Sequence, residues 1–443
     1  MRTKMIFSHQ SFTRRARGGA IALVAALALT ACGSSGPNQG DGTAGASLWA
    51  TTTGDQPVIE QAIDQWNSAN PDSPMRGDFF SSDAYKPKIR TAIGAGQAPT
   101  LIYSWGGGVL TSYVDNGSLV DLSGFLSENP DIINRYLPSV LQNGAVDGAT
   151  YALPINKVNP AFIYYNKAVF TDAGVEPPRT WDDLLKLVPT FNEKGIAPFA
   201  LGGQSKWPSL MWFEYLVDRI GGSEVFDRIA AGEPDAWTDP AIIRAGEMIQ
   251  ELVDAGGFID NFSSIPSTSG SELALMYTGK AAMVLQLSSQ YQTMKASAPD
   301  FVASGDLGYV PFPTVEGGTG DPGFLVGTPS NFFSISSQAS SSQQETAKTF
   351  LRDSVLNHDY VQGVIDTGAV PPIAGIEDQL AGSSDADFLL DVYDMVRDAP
   401  RFQLSWDQAL SPEQADSMLT NLELLFLKQI TPSQFGDTLN GTL

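Results

Sequence analysis

The sequence predicts an α/β protein of two lobes, and three observations predict it. Its 443 residues, 42% of them hydrophobic and 10% aromatic, exceed one ordinary core and suit two lobes of roughly 150 to 200 residues. Short apolar runs rich in aromatic and β-branched residues alternate with amphipathic runs, so that strand, loop and helix recur along the chain. Within 151–181, Pro154 and Pro160 bracket the polar segment Asn156-Lys157-Val158-Asn159 before a strand-like run at 161–165. That stretch reads as the crossing from one lobe into the next.

The elements follow in order. Residues 46–50 read as a strand, 51–55 as its loop, and 57–67 as a helix with Ile59, Ala62, Ile63 and Trp66 on one face. A strand region at 71–80 precedes Asp83, read as the cap of a helix carrying Tyr85, Ile89 and Ile93 to Gly94-Ala95-Gly96. The short strand 99–103 leads into Ser104-Trp105-Gly106-Gly107-Gly108, a loop at a strand's carboxyl end, where open α/β sheets bind ligands. The glycines invite a phosphate reading, but no phosphate-loop pattern and no adjacent lysine support it. After the crossing, Gly174 stops a helical turn at 169–173, Pro177-Pro178 runs extended, and Thr180 with Asp183 forms a capping box before the stripe Trp181, Leu184, Leu185 and Val188. A strand at 198–201, the loop 202–208 and an aromatic helix at 211–220 come next. Helix end and loop fill 253–258 and 263–271; 273–277 is helical and 281–287 a strand. The run 307–312 is expected to cross back to the first lobe, where 332–335 is a strand and 345–356 a helix with Ala347, Phe350, Leu351 and Val355 inward. Val370-Pro371-Pro372 reads as a further crossing, 412–427 as a helix, and Thr431-Pro432 as the start of the last one. There is no internal repeat.

The amino-terminal stretch reads as an export signal. Arg2, Lys4, Arg14, Arg15 and Arg17 precede an apolar run at 20–31 that is too short to span a bilayer and ends at small residues. Arg14-Arg15 raise the twin-arginine route, which Ala16-Arg17 fit poorly. Cys32, the one cysteine, follows Leu29-Thr30-Ala31 and precedes the linker-like Gly33-Ser34-Ser35-Gly36-Pro37. This arrangement resembles a bacterial lipobox, which implies lipidation of Cys32 and a tether holding the protein at the membrane through acyl chains alone. Removing 1–31 takes away five basic residues and no acidic one, leaving 21 Lys plus Arg against 49 Asp plus Glu. So acidic a surface repels nucleic acid and anionic ligands and is compatible with neutral ones, although a soluble, monomeric surface accounts for the charge equally well.

Catalytic groups are scarce. His9 lies in the signal, so His358 is the only histidine left for a triad, and no nucleophile-elbow pattern accompanies it. No metal cluster and no cofactor are expected, and the chain is read as a non-enzyme. A glycosidase needs only two carboxylates and stays open as an alternative; most acidic residues, such as Asp182-Asp183, Asp385 and Asp387, read as solvated helix faces. A sugar offers an apolar face for an aromatic ring and hydroxyls for paired polar groups. Trp105, Trp207 and Trp406 stand in loops suited to the first task, whereas Trp66, Trp181 and Trp212 lie on helical stripes and read as core.

The segments "ALPIN", "IYYNKAVFTDAGVEPPRTWDDLL", "GKAAMVLQLSSQY", "GYVPFP", "ETAKTFLRD", "GAVPP" and "ITPSQF" resemble, in order and spacing, the family 1 extracellular solute-binding proteins, the sugar-capturing components of ABC importers. The resemblance implies a two-lobed periplasmic-binding-protein-like fold with hinge crossovers and a ligand cleft between the lobes. It sets a signal at 1–31, lipidated Cys32 and tether at 32–46, a first lobe of 47–156 plus 311–368, and a second of 160–306 plus 372–443. Crossovers fall near 156–160, 306–312 and 369–372. It also implies a site of Asp55 with Thr53-Gly54, Trp105 with Ser104, Asn159, Gln204, Ser288-Ser289-Gln290 and Trp406, to which the loop position of Trp207 adds a candidate. Relatives often carry Trp after the "GKAAM" strand; here Tyr291 is the replacement at hand. Asp83 and Asn331 read as cap and turn residue. The stretch "GGQSKWPSLMWFEYLVDRIGG" resembles actinobacterial binders of short β-linked oligosaccharides, xylobiose or xylo-oligosaccharides first. Expected partners are an oligosaccharide and ABC permease subunits, with no nucleic acid, at the extracellular face of the membrane. A secreted carbohydrate-active enzyme or a binder of another solute, such as a peptide or a polyamine, is the alternative; a polyamine would need carboxylates where these loops offer only Asp55.

Overall fold

The computed structural model describes residues 45–442 except Thr53 and Thr268. The export signal, Cys32 and nearly all of the tether lie outside the described residues. The strands of its two larger sheets are, in chain order, β1 (Ala46–Thr51), β2 (Met75–Phe80), β3 (Leu101–Ser104), β4 (Ala152–Pro154), β5 (Asn159–Asn166), β6 (Ala197–Ala200), β7 (Ala281–Leu287), β8 (Leu307–Val310), β9 (Leu325–Thr328), β10 (Phe332–Ile335) and β11 (Phe402–Leu404). One open sheet has the order β2-β1-β3-β10-β4, with β1 parallel to both neighbours and β10 antiparallel to β3 and β4. The other runs β11-β9-β5-β7-β6, with β8 also on β5; here β5 is antiparallel to β7, β8 and β9.

Side-chain alternation decides which core each strand serves. Along β5, Phe162 and Tyr164 join the core that surrounds the first sheet and continues onto one face of the second, while Ala161 and Ile163 join the core on the opposite face. The capping boxes at Thr180/Asp183, Ser340/Gln343, Ser411/Gln414 and Thr431/Gln434 start four helices by satisfying otherwise free backbone donors. Asp83 is not a cap. Ser81 precedes the helix Ser82–Gly94, and Asp83 lies in its first turn, where its charge complements the positive helix end.

The expected return to the first lobe near 306–312 is also corrected. β8 pairs Leu307 with Asn166 and Val310 with Ile163, and β9 pairs Gly327 with Pro160, so both strands belong to the second sheet. The chain enters the first sheet only at Phe332, after the crossing 329–331. The approach of β9 to β5 depends on Gly327, because a Cβ there would meet the Asn159 carbonyl oxygen at 2.2 Å.

These connections set the face on which a ligand can lie. β4 ends at Pro154 and β5 starts at Asn159; β9 ends at Thr328 and β10 starts at Phe332. Four-residue and three-residue links therefore put the carboxyl edge of the first sheet against the edge of the second where Asn159, Thr328, Leu287 and Leu404 end their strands.

Candidate functional site

At the crossings lies a buried polar cluster. Asp55, fully buried in the loop after β1, accepts from Lys157 Nζ at 2.6 Å and from Asn156 Nδ2 at 2.9 Å. Lys157 Nζ also donates to Gln292 Oε1 at 2.8 Å, and Gln292 Nε2 donates to Asp55 Oδ1 at 3.1 Å and to the Thr367 hydroxyl. Asn156 Nδ2 reaches Asn331 Oδ1 at 3.0 Å. The cluster thus joins the crossing at 155–158, the crossing at 329–331 and Thr367, at the end of the helix His358–Asp366, to Gln292 on the helix Gln290–Ser297 that follows β7. Each partner supplies what the others lack, so a buried ion pair keeps its hydrogen bonds complete.

Between the loop that follows β3 and the segment that follows β11 lies a separate small cavity of about 70 Å³. One wall is Tyr103, Ser104, Trp105 and Val109 with Lys86 and Arg90 of the helix Ser82–Gly94; the other is Asp407 and Gln408 with Pro412, Ala415, Asp416 and Leu419 of the helix Pro412–Phe426. Trp105 is half-buried, edge-on to Tyr85 and Tyr103, with Lys86 Nζ 5.2 Å from its ring centroid. Lys86 pairs with Asp407 at 3.5 Å and Arg90 with Asp416 at 4.0 Å, both across the cavity. Burial raises the Tyr103 hydroxyl, keeping it a neutral donor. Beneath the far wall, Glu214 accepts from Ser405 Oγ and Trp406 N–H; burial first, and Asp407 nearby, push its carboxyl well above the usual range.

The expected site residues divide between these places. Asn159 Oδ1 accepts from Ser289 N–H at 3.1 Å, which brings Asn159, Ser289 and half-buried Gln290 together one turn before Gln292. Asp55 stands in the same cluster but has no free side: both carboxylate oxygens are committed to the crossings. Trp406 is not a free platform. It is 2% exposed, stacked on Phe226 and edge-on to Phe213 and Trp237. Tyr291 does not replace the missing Trp either, for it stacks on Phe388 at 4.0 Å and donates to Asp385. Gln204 is exposed and Trp207 half-buried, flanking Lys206, which pairs with Glu423. Asp416 and Glu423 are seven residues apart on one helix, which puts that loop roughly 10 Å along from the cavity. Sequence reasoning missed Lys86, Arg90, Asp407, Lys157 and Gln292, and took Asn331 for a plain turn. Nothing in a lone Lys or Gln marks it as facing a cleft, although Lys157 between two prolines was a signal.

Among the described residues no three His, Cys, Asp or Glu side chains are grouped to hold a metal, and both cavity carboxylates are engaged by cations. Residues 49–352 match the bacterial extracellular solute-binding protein family. The chain belongs to that family. This solute-binding protein is 26% identical over 273 residues to an uncharacterised ABC transporter extracellular-binding protein of Pyrococcus horikoshii, covering 60% of this chain and 59% of that one. It is 23% identical over 314 residues to the osmoprotective compounds-binding protein GgtB of Synechocystis, covering 69% and 72%. Among solved structures, one determined in work on xylan utilization by Caldanaerobius polysaccharolyticus superposes with a TM-score of 0.78 at 27% identity, over 90% of this chain and 99% of that one. A chitin oligosaccharide binding protein does so with 0.79 at 23%, over 90% and 98%. The fold is the two-lobed solute-binding one.

Proposed function

We propose that the protein captures an oligosaccharide between its lobes and delivers it to an ABC transporter permease. The observation that carries this reading is the cavity wall itself: an aromatic ring, Trp105, beside charges paired across the two lobes and the amide of Gln408. Such a surface offers an apolar face to a pyranose and donors and acceptors to its hydroxyls. Asp407 and Asp416 are each opposed by a cation, so the wall suits a neutral ligand rather than a polyamine. We assign xylo-oligosaccharides as the ligand series; the 27% identity to a protein from a xylan-utilizing bacterium supports that choice. We further propose Asp55, Trp105, Asn159, Gln204, Trp207, Ser289 and Gln290 as residues bordering or supporting the site, a lipid anchor at Cys32, and a monomer at the extracellular face of the membrane.

The mechanism is hinge closure. A ligand that touches both walls binds the closed arrangement better than the open one and shifts the population toward it. Calorimetric titration against xylo-, cello-, chito- and malto-oligosaccharides tests the reading. Tight one-to-one binding of the xylo series without release of reducing sugar is expected. Binding of another series would reassign the ligand; hydrolysis, or silence from folded protein, would overturn the proposal.

A further inference from the structure

We infer that Lys86 is a built-in competitor for the sugar, holding the two groups that a pyranose would use. The inference rests on the sugar-binding reading above. Lys86 Nζ sits over the Trp105 ring, 5.2 Å from its centroid, and pairs at 3.5 Å with Asp407 of the opposite lobe. An ammonium over an aromatic face and a pyranose C–H face need the same surface, so the two contacts exclude each other. Asp407 is likewise committed: its side chain is 6% exposed, and beyond Lys86 its Oδ2 accepts from Gln408 Nε2 at 2.6 Å.

The two ends of this bridge differ in mobility. Asp407 is fixed in the short helix Trp406–Ala409, which Trp406 anchors in the core, whereas the Lys86 side chain retains 34% exposure and a flexible four-carbon stem. Lys86 therefore leaves and the wall stays. Arg90 lies one turn further along the same helix, but 4.0 Å from Asp416 with both side chains half or more exposed, so its pair adds little. Lys86 joins the stacking ring to the opposite lobe.

Two consequences follow. First, the contacts of Lys86 stabilise the unliganded protein and are lost on binding, so removing them tightens binding. Second, salt screens the Lys86–Asp407 pair, so a neutral sugar binds more tightly as ionic strength rises, against ordinary expectation for an uncharged ligand. The experiment uses the full chain and Lys86→Met, with Lys86→Gln as a second variant in case the first misfolds. Calorimetry with a neutral xylo-oligosaccharide is expected to give about three- to tenfold tighter binding in either variant, the size of one cation–π contact plus one partly exposed ion pair. The wild-type affinity is expected to rise from low to high NaCl and the variants' to stay flat. Equal or weaker binding by the variants, or a wild-type affinity indifferent to salt, overturns the inference.

A second readout needs no sugar. Fluorophores on the exposed faces of the helices Gln56–Ala69 and Pro240–Asp254, in a Cys32→Ser background, report the distance between lobes. The unliganded wild type is expected to open as salt rises, and Lys86→Met to be open already at low salt. Identical distances in the two proteins overturn the inference whether or not a sugar is found. A wild type that binds no oligosaccharide, yet opens with salt only when Lys86 is present, would instead refute the sugar reading and keep the bridge.

Discussion

Trp105 and Trp406 each stand just past a strand's carboxyl end, yet they meet opposite surroundings. Trp105 has glycines beside it and lines the cavity, while Trp406 is enclosed by Phe213, Phe226 and Trp237. Trp406→Ala is therefore expected to cost about 3–5 kcal/mol of stability through the cavity it leaves in the core. Trp105→Ala should leave the denaturation midpoint nearly unchanged and weaken oligosaccharide binding roughly tenfold or more through the lost stacking face. Denaturant melts beside calorimetry separate the two; a Trp105→Ala protein of wild-type affinity would remove the ring from the site. The sequence places both rings in loops but cannot show what encloses them, because the partners of Trp406 lie 169 to 193 positions upstream. Glu214, under the same loop, makes a second test. Burial raises its folded carboxyl well above the usual range, so the folded state holds a proton that the unfolded chain gives up near its ordinary value. Its contribution is complete below that ordinary value and is lost as pH rises toward the folded one. Glu214→Gln, which keeps an acceptor for Ser405 and Trp406 and cannot titrate, should gain stability relative to wild type between pH 5 and pH 8. A constant difference across that range would contradict it.

At the scale of elements, the first lobe meets the second through backbone. A Cβ on Gly107 would meet the Gln408 carbonyl oxygen at 2.5 Å, and one on Gly108 the Leu410 oxygen at 2.3 Å. Gly107 has a φ of 61°, but Gly108 takes ordinary helical geometry at the start of Gly107–Asp115. Gly108→Ala is thus a clean wedge: compatible with its own helix and hostile only to closure. It should weaken binding roughly tenfold or more, the cost of about 1–3 kcal/mol for overfilling a packed contact, while the melting temperature stays level or rises. Wild-type affinity in this variant would show that the contact is not part of the bound state. The sequence announced the glycine run as a loop at a strand end, yet its purpose, close backbone approach, depends on residues three hundred positions away. Elements with local signals were legible: 281–287 matches β7, 332–335 matches β10, and the Thr180 capping box forms as read. Those held only by distant partners were not. β9 is interrupted by Gly327 and β11 is only three residues long, so neither carries a clear local strand signal, and missing β9 is what moved the second crossing to 306–312.

At the scale of the whole molecule, the hinge closure proposed above would pass through the cluster at the crossings. Lys157 lies in a crossing and Asp55 in the first lobe's loop after β1, but Gln292 rides on the helix after β7 and so goes with the second lobe. The two kinds of member predict different phenotypes. Lys157→Met leaves the Asp55 carboxylate buried without its cation, an imbalance worth about 3–5 kcal/mol, and should lower the denaturation midpoint severely. Gln292→Ala removes a neutral tie, worth roughly 1 kcal/mol in stability, and leaves the ion pair standing. Its larger effect falls on the equilibrium between lobes: the closed arrangement loses hydrogen bonds that the open one does not make. Apparent affinity scales with the fraction of molecules able to close, so oligosaccharide binding should weaken about fivefold while the protein remains folded. The lobe-to-lobe distance in the unliganded variant should broaden toward longer values, and saturating sugar should restore the wild-type distance. If Gln292→Ala instead lowers stability as much as Lys157→Met and leaves the distance distribution unchanged, the cluster is a static part of the core and the pivot lies elsewhere along the three crossings.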